Sequence, residues 1–281
     1  MTILSDLINK ILEYWNNYHL DLKIDKIGIG SHFATTILNN GSVGLCHTLY
    51  NIIKTKKRLN KLDTKAILRE LLNSFRADHV HELDPCKFIL YARSEDINLK
   101  ALGISCINAI SNYIIFNLNY DVKFDKMDEI AGLTLNNKLK VGVIGAIKPI
   151  IRQFEKIGIK TIYLKEDDLF KKQIDSENIK LVEDLNFINQ VDYLFITGSS
   201  LVNESIDEIL ENSQNCTEVI LIGPTAGCIP DPLFDKGLTR IAGMNIIDTE
   251  RTYEIIINNG GTQAFKKYGR KYYIINKNKN V

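Results

Sequence analysis

The second half of this chain alternates short apolar runs with stretches of helical spacing, and that alternation limits its fold more than any other feature. Leu139–Ile144, Lys160–Leu164, Val191–Ile196 and Glu218–Ile222 read as buried strands, with Thr239–Met244 as a further one. Pro149–Ile157 and Ser205–Asn212 read as helices, and Pro149 suits a first helical turn because its missing N–H is not needed there. Asp248 reads as the N-cap of a helix over Thr249–Asn258 that Gly260-Gly261 would end. Strands and helices alternating at these lengths imply crossover connections, and so a parallel, doubly wound sheet.

In such a sheet, ligands gather just past the carboxyl ends of the strands. Two strands end in segments built for that place. One runs Ile196-Thr-Gly-Ser-Ser-Leu-Val-Asn203; the other runs from Gly223-Pro-Thr225 through Cys228 to Pro230-Asp-Pro232. Glycine and hydroxyl residues at strand ends leave backbone N–H groups open to an anion or polar ligand. Helix capping explains one of the hydroxyls of Thr197, Ser199 and Ser200, but not all three. Val141-Gly-Val-Ile-Gly145 ends the first strand of this half, where a dinucleotide loop would lie, but Ala146, Ile147 and Lys148 break the GxGxxG pattern, so weak or absent NAD binding is expected. Glu166 and Asp167 end the next strand, where an acid could meet a ribose.

The first half has another character. Ile3, Leu4, Leu7, Ile8, Ile11, Leu12 and Trp15 fall at helical spacing. Lys26–Leu38 and Ser42–Leu49 read as strands joined at Asn39-Asn-Gly41, whose residues tolerate the positive φ of tight hairpin turns. Thr64–Arg76, capped by Asp63, and Leu99–Phe116 return to helical spacing. The composition shift near 131–138 marks a linker between an α+β first half and an α/β second half.

Composition narrows the function. With 281 residues, a net charge of +1, 45% hydrophobic and 25% charged residues, the chain has no global field that would favour nucleic acid or a membrane surface. No apolar run is read as long enough to span a bilayer. The N-terminal stretch is amphipathic with internal charges rather than a secretory signal, so a cytoplasmic location is the default expectation. Five scattered cysteines form no CxxC, which argues against a disulfide framework or zinc knuckle. No GxSxG, Walker or HExxH motif is present. Four histidines are weak metal candidates: His79 and His81, followed by Glu82, Asp84 and Cys86, and the pair His32 and His47 on the hairpin strands. Cys228, a thiol inside the last strand-end loop, is a candidate metal ligand.

Taken together, these segments resemble a known family. Ala101–Ser111, Ile196–Asn203 and Gly223–Phe234 resemble, in order, the signatures of the family called "putative heavy-metal chelation", and Val141–Gly145 and the closing Gly237…Asp248…Gly260-Gly261 agree. The likeness runs from about residue 20 to the C-terminus. Two departures stand out: Ala226-Gly227-Cys228, where a small polar residue is expected, and Leu99-Lys100, where the family often has glutamate.

The resemblance implies an α/β protein: an α+β enolase-N-terminal-like domain over residues 1–135, followed by a Rossmann-like doubly wound parallel sheet domain over 136–281. It also implies a site between them. The expected ligand set is Asn108, Thr197, Gly198, Ser199, Ser200, Asn203, Gly223, Pro224 and Thr225, with Cys228 at its margin. Asn108 has a competing structural use, since its amide could bond a facing segment. The leading expectation is binding of a small polar ligand, a heavy-metal ion or metal chelate, with a metal ion as the one cofactor implied. Partners are small molecules or metals rather than nucleic acid or membrane, and a homo-oligomer is compatible. Two other readings stay open: a transferase or lyase using a nucleotide-type cofactor, and a ligand-free interaction scaffold.

Overall fold

A computed structural model describes residues 2–49, 63–118, 120–126, 129–145, 147–166 and 177–277. The chain divides into two compact units, each drawn from separate stretches. The first comprises Met1–Tyr120, Gly227–Pro232 and Met244–Arg270; the second comprises Asp121–Ala226, Leu233–Gly243 and Lys271–Val281.

The first unit begins with helix α1 (Ile3–Asn17), whose Thr2 side chain accepts from the Ser5 N–H. Ile3, Leu4, Leu7, Ile8 and Ile11 are buried along one stripe of it, as their spacing requires. A three-stranded antiparallel sheet follows: β1 (Ile24–Ile29), β2 (Phe33–Leu38) and β3 (Val43–His47). The run read as one strand over Lys26–Leu38 is therefore two. Gly30 turns the chain by donating its N–H to Phe33 O at 2.8 Å. The Asn39-Asn-Gly41 hairpin forms as read, with Gly41 at φ +83°.

Helices α2 (Thr64–Phe75), α3 (Pro85–Phe88) and α4 (Ile97–Asn117) complete the N-terminal stretch, and α2 is capped by Asp63 as read. All six residues of β2 are buried because both faces of the sheet are covered. On one face, a Cβ at Gly44 would fall on Ser105 O and Ala109 N of α4, so the helix backbone rests directly on β3. Thr36 and Ser105 share a hydrogen bond of 2.7 Å across this contact. The other face carries Phe33, Ile37, Val43 and Leu45, which pack with Ile246, Ile256 and Phe265.

Helix α4 has 21 residues and contains an 18-residue stretch of mean hydropathy 1.4, so by length and composition it could cross a membrane. That corrects the sequence reading, in which no apolar run is long enough to span a bilayer; the run contains the polar Ser105, Asn108, Ser111 and Asn112. These four are inward-facing and buried, as is 78% of the apolar stretch, and α4 is the central core helix of this unit.

The second unit is organised by the parallel strands β5 (Lys140–Ile144), β6 (Thr161–Lys165), β7 (Ile179–Val182), β8 (Tyr193–Thr197), β9 (Glu218–Ile222) and β10 (Arg240–Ile246). Their spatial order is β7-β6-β5-β8-β9-β10, the order of a doubly wound sheet built outward in both directions from its first strand. Antiparallel β11 (Gly269–Ile275) and β4 (Lys123–Phe124) extend the edge. Helix α5 (Lys148–Ile157) buries Ile150, Ile151 and Phe154 in a core with Val141, Val143, Ile162, Leu164 and Phe195. Helix α6 (Ile206–Asn212) follows β8. Helix α7 spans Asp231–Asp235, and helix α8 (Thr249–Ile257), which belongs to the first unit, has Asp248 accepting from Arg251 N–H as its cap.

Candidate functional site

A doubly wound sheet has one place where successive connections leave in opposite directions. Here that place is between β5 and β8, which are adjacent and parallel and end at Ile144 and Thr197. Gly145 leaves β5 with φ +87°, and a Cβ there would lie 2.5 Å from Thr197 Cγ2. No other residue type fits without moving Thr197.

One strand further on, a Cβ at Gly198 would lie 2.6 Å from Ala226 N and 2.8 Å from Thr225 C. The two strand-end loops that stood out in the sequence therefore touch backbone to backbone. Gly223, at φ +124° with open space around it, is needed for its conformation rather than its size. It donates its N–H to Ala242 O and accepts from Ala226 N–H, both at 3.0 Å, which closes the loop into a fixed turn.

The side chains divide into three groups. Ser200 and Thr225 are buried, and Ser200 Oγ donates to Thr197 O at 2.8 Å. Thr197, Ser199, Gly223 and Pro224 are half-exposed. Thr197 Oγ1 accepts weakly from Ser199 N–H at 3.4 Å, opening a short 3-10 turn over Gly198–Leu201 that precedes helix α6, which forms where the sequence reading places it. Asn203 is exposed, and its Oδ1 accepts both the N–H and the hydroxyl of Ser205 at 3.2 and 2.8 Å. Its geometry is that of a local turn.

Asn108 and Cys228 belong to the first unit and the other expected ligands to the second. Asn108 is buried on α4, and its Nδ2 donates to Leu45 O at 2.8 Å, the structural use foreseen for it. Cys228 is buried, and desolvation pushes its thiol up to about 12. In the sequence, Gly145 ends a failed dinucleotide motif and a segment that agrees with the family resemblance, but is not among the expected ligands; its positive φ against Thr197 is what marks it. Ala146 and Asp167 lie outside the described residues.

Family profiles give the chain its relatives. Residues 129–275 match DUF364 and residues 13–111 match DUF4213, both described as "Putative heavy-metal chelation". The chain belongs to the DUF364 family. An uncharacterized protein of Methanocaldococcus jannaschii is 30% identical over 190 residues, 66% of this chain and 70% of that protein. Two crystallised DUF364 proteins of unknown function share the fold. The one from Pyrococcus horikoshii has a TM-score of 0.72 and 22% identity, covering 97% of this chain and 99% of its own; the one from Desulfitobacterium hafniense has 0.70 and 20%, covering 97% and 96%.

The family description asks for donors that can hold a heavy metal, which means deprotonated thiolates, imidazoles or carboxylates converging on one point. Among the described residues, no three His, Cys, Asp or Glu side chains are grouped in that way. His79 and His81 stack with ring centroids 5.3 Å apart. Burial holds the thiols of Cys46 and Cys106 well above the usual range. Burial, with His32 nearby, pushes His47 down to about 4, and its Nδ1 already accepts Leu49 N–H at 3.2 Å. The described donors of this DUF364 protein do not fit a centre for a bare ion.

Proposed function

We propose that this DUF364 protein binds a small polar ligand at the carboxyl ends of β5, β8 and β9, and that a heavy metal reaches it already held by an organic chelator. The observation that carries this reading is the backbone contact of Gly198 with Thr225–Ala226, beside Gly145 at the point where the sheet reverses. Loops held this rigidly present fixed backbone dipoles and hydroxyls, which suit the oxygens of a polar ligand better than the coordination sphere of a metal. The half-exposed Thr197, Ser199, Gly223 and Pro224 would face it, with Ser200 and Thr225 supporting them from below. Asn108 is assigned to packing because its amide donates to β3. The absence of a convergent donor set among the described residues favours a chelate over an ion.

Calorimetry tests this with nickel and zinc chlorides, then with their citrate complexes. The citrate complexes should bind and the chlorides should not. One-to-one binding of a chloride, unchanged when citrate is added, would overturn the reading. A second reading, an enzyme with a nucleotide-type cofactor, is favoured by the strand order alone. Binding of S-adenosylmethionine with no response to either metal form would replace the first reading with the second.

A further inference from the structure

The first unit carries a groove remote in sequence from these loops. It has a volume of about 620 Å³, within the range of small-molecule sites, and is open to solvent. Its apolar part is Phe75 at the end of α2, with Leu90 and Tyr91 in the 3-10 turn after α3. Phe75 and Tyr91 lie with ring centroids 5.7 Å apart. Phe88 supports both from the core at 6.1 and 6.0 Å, so the floor is rigid. Leu90 is 45% exposed, a large apolar side chain left at the surface beside this floor.

The polar part is one-sided in charge. Lys87 and Arg93 line the groove, and neither makes an ion pair with a described residue. Two of the carboxylates flanking this segment cap local turns: Asp84 Oδ1 accepts Cys86 N–H at 2.9 Å, and Asp96 Oδ1 accepts the N–H groups of Asn98 and Leu99 at 2.8 and 3.0 Å; Glu95 is exposed and is not among the lining residues. Ser74 Oγ and the Tyr91 hydroxyl, 2.6 Å apart, add a neutral hydrogen-bonding rim.

We infer that this groove is a second binding site, for an amphipathic carboxylate whose apolar body lies on Phe75, Leu90 and Tyr91 while its anionic head meets Lys87 and Arg93. An apolar floor alone would accept any greasy molecule. Two cations with no acidic partner among the described residues select an anion, and a guanidinium matches the two oxygens of a carboxylate. The size of the groove favours a body of one or two rings or a medium alkyl chain.

The test is calorimetry on the full chain with 2-naphthoate, decanoate, neutral 2-naphthalenemethanol and acetate. Naphthoate or decanoate should bind, and the relative strength of the two says whether the natural body is aromatic or alkyl. The neutral alcohol and acetate should bind at least about tenfold more weakly, since each lacks one half of the recognition. K87A/R93A should weaken naphthoate about tenfold or more with an unchanged melting temperature, because both side chains are at the surface. K87R/R93K, which keeps both charges, should restore most of the affinity. The inference fails if the alcohol binds as tightly as naphthoate, if K87A/R93A binds naphthoate like the wild type, or if none of the four binds at millimolar concentration. Because the probes contain no metal and the variants touch only the first unit, failure here leaves the strand-end site unaffected.

Discussion

Two close backbone contacts, one in each unit, serve different purposes. In the first unit, α4 rests on β3 at Gly44, and the polar groups around the contact are consumed by it: Thr36 bonds Ser105, and Asn108 bonds Leu45 O. These four residues are at most 2% exposed. In the second unit, Gly198 presses on Thr225–Ala226, but Thr197, Ser199, Gly223 and Pro224 beside it remain half-exposed. Glycine permits both contacts. What separates a packing joint from a candidate binding edge is whether the surrounding polar groups are spent inward or left facing out.

The largest expected effect is at the packing joint. Gly44→Ala forces α4 off β3, and the strain should cost about 3 kcal/mol or more, read as a lower denaturant midpoint. If Gly44→Ala is tolerated, the joint is softer than described.

Acid should separate the units next. All five histidines lie at positions 19 to 81, within the first unit. His47 is pushed down to about 4 in the folded state, against about 6.5 when unfolded, so the unfolded chain takes up the proton first. The contribution of His47 to stability is therefore complete above about pH 6.5 and is lost as pH drops toward 4, by at most about 3 kcal/mol. Hydrogen exchange should show β1–β3 loosening in that window before β5–β9, and His47→Gln should flatten the slope.

Gly198→Ala should cost about 2 kcal/mol through its clash with Ala226 N and also remove the response to nickel citrate. Asn108→Ala leaves Leu45 O without its donor and should cost about 1–2 kcal/mol with ligand response unchanged. Thr197→Val removes one weak 3.4 Å bond and should cost less than about 1 kcal/mol, so nearly all of its effect falls on binding.

Much of this contrast could be read from the sequence. The strands of the second unit announced themselves as apolar runs of five residues, and their loops as clusters of Gly, Ser, Thr and Pro. Other parts were hidden for identifiable reasons. β2 is buried on both faces, so it carries no polar alternation to separate it from β1, and Gly30-Ser31 passed as strand. β7 and β4 are short, half-exposed edge strands with little apolar signal. β11 begins in a basic stretch, Lys266-Lys267-Tyr268-Gly269-Arg270-Lys271, and the return of residues 244–270 to the first unit depends on contacts between positions more than 200 apart. The role of Asn203 as a local turn acceptor, and of Asn108 as a pin on β3, depends on which neighbour each amide reaches, which residue type alone does not specify.

The central claim is that the strand-end loops of the second unit, and not a cysteine-centred donor set, hold the ligand. Thermal stabilisation by nickel citrate, measured in parallel on the wild type, Thr197→Val, Gly198→Ala and Cys228→Ala, tests it most directly. The account predicts that Thr197→Val and Gly198→Ala lose the stabilisation while Cys228→Ala keeps it, because that thiol stays protonated in its buried setting. Loss of stabilisation in Cys228→Ala, with full stabilisation retained in Thr197→Val and Gly198→Ala, would contradict it.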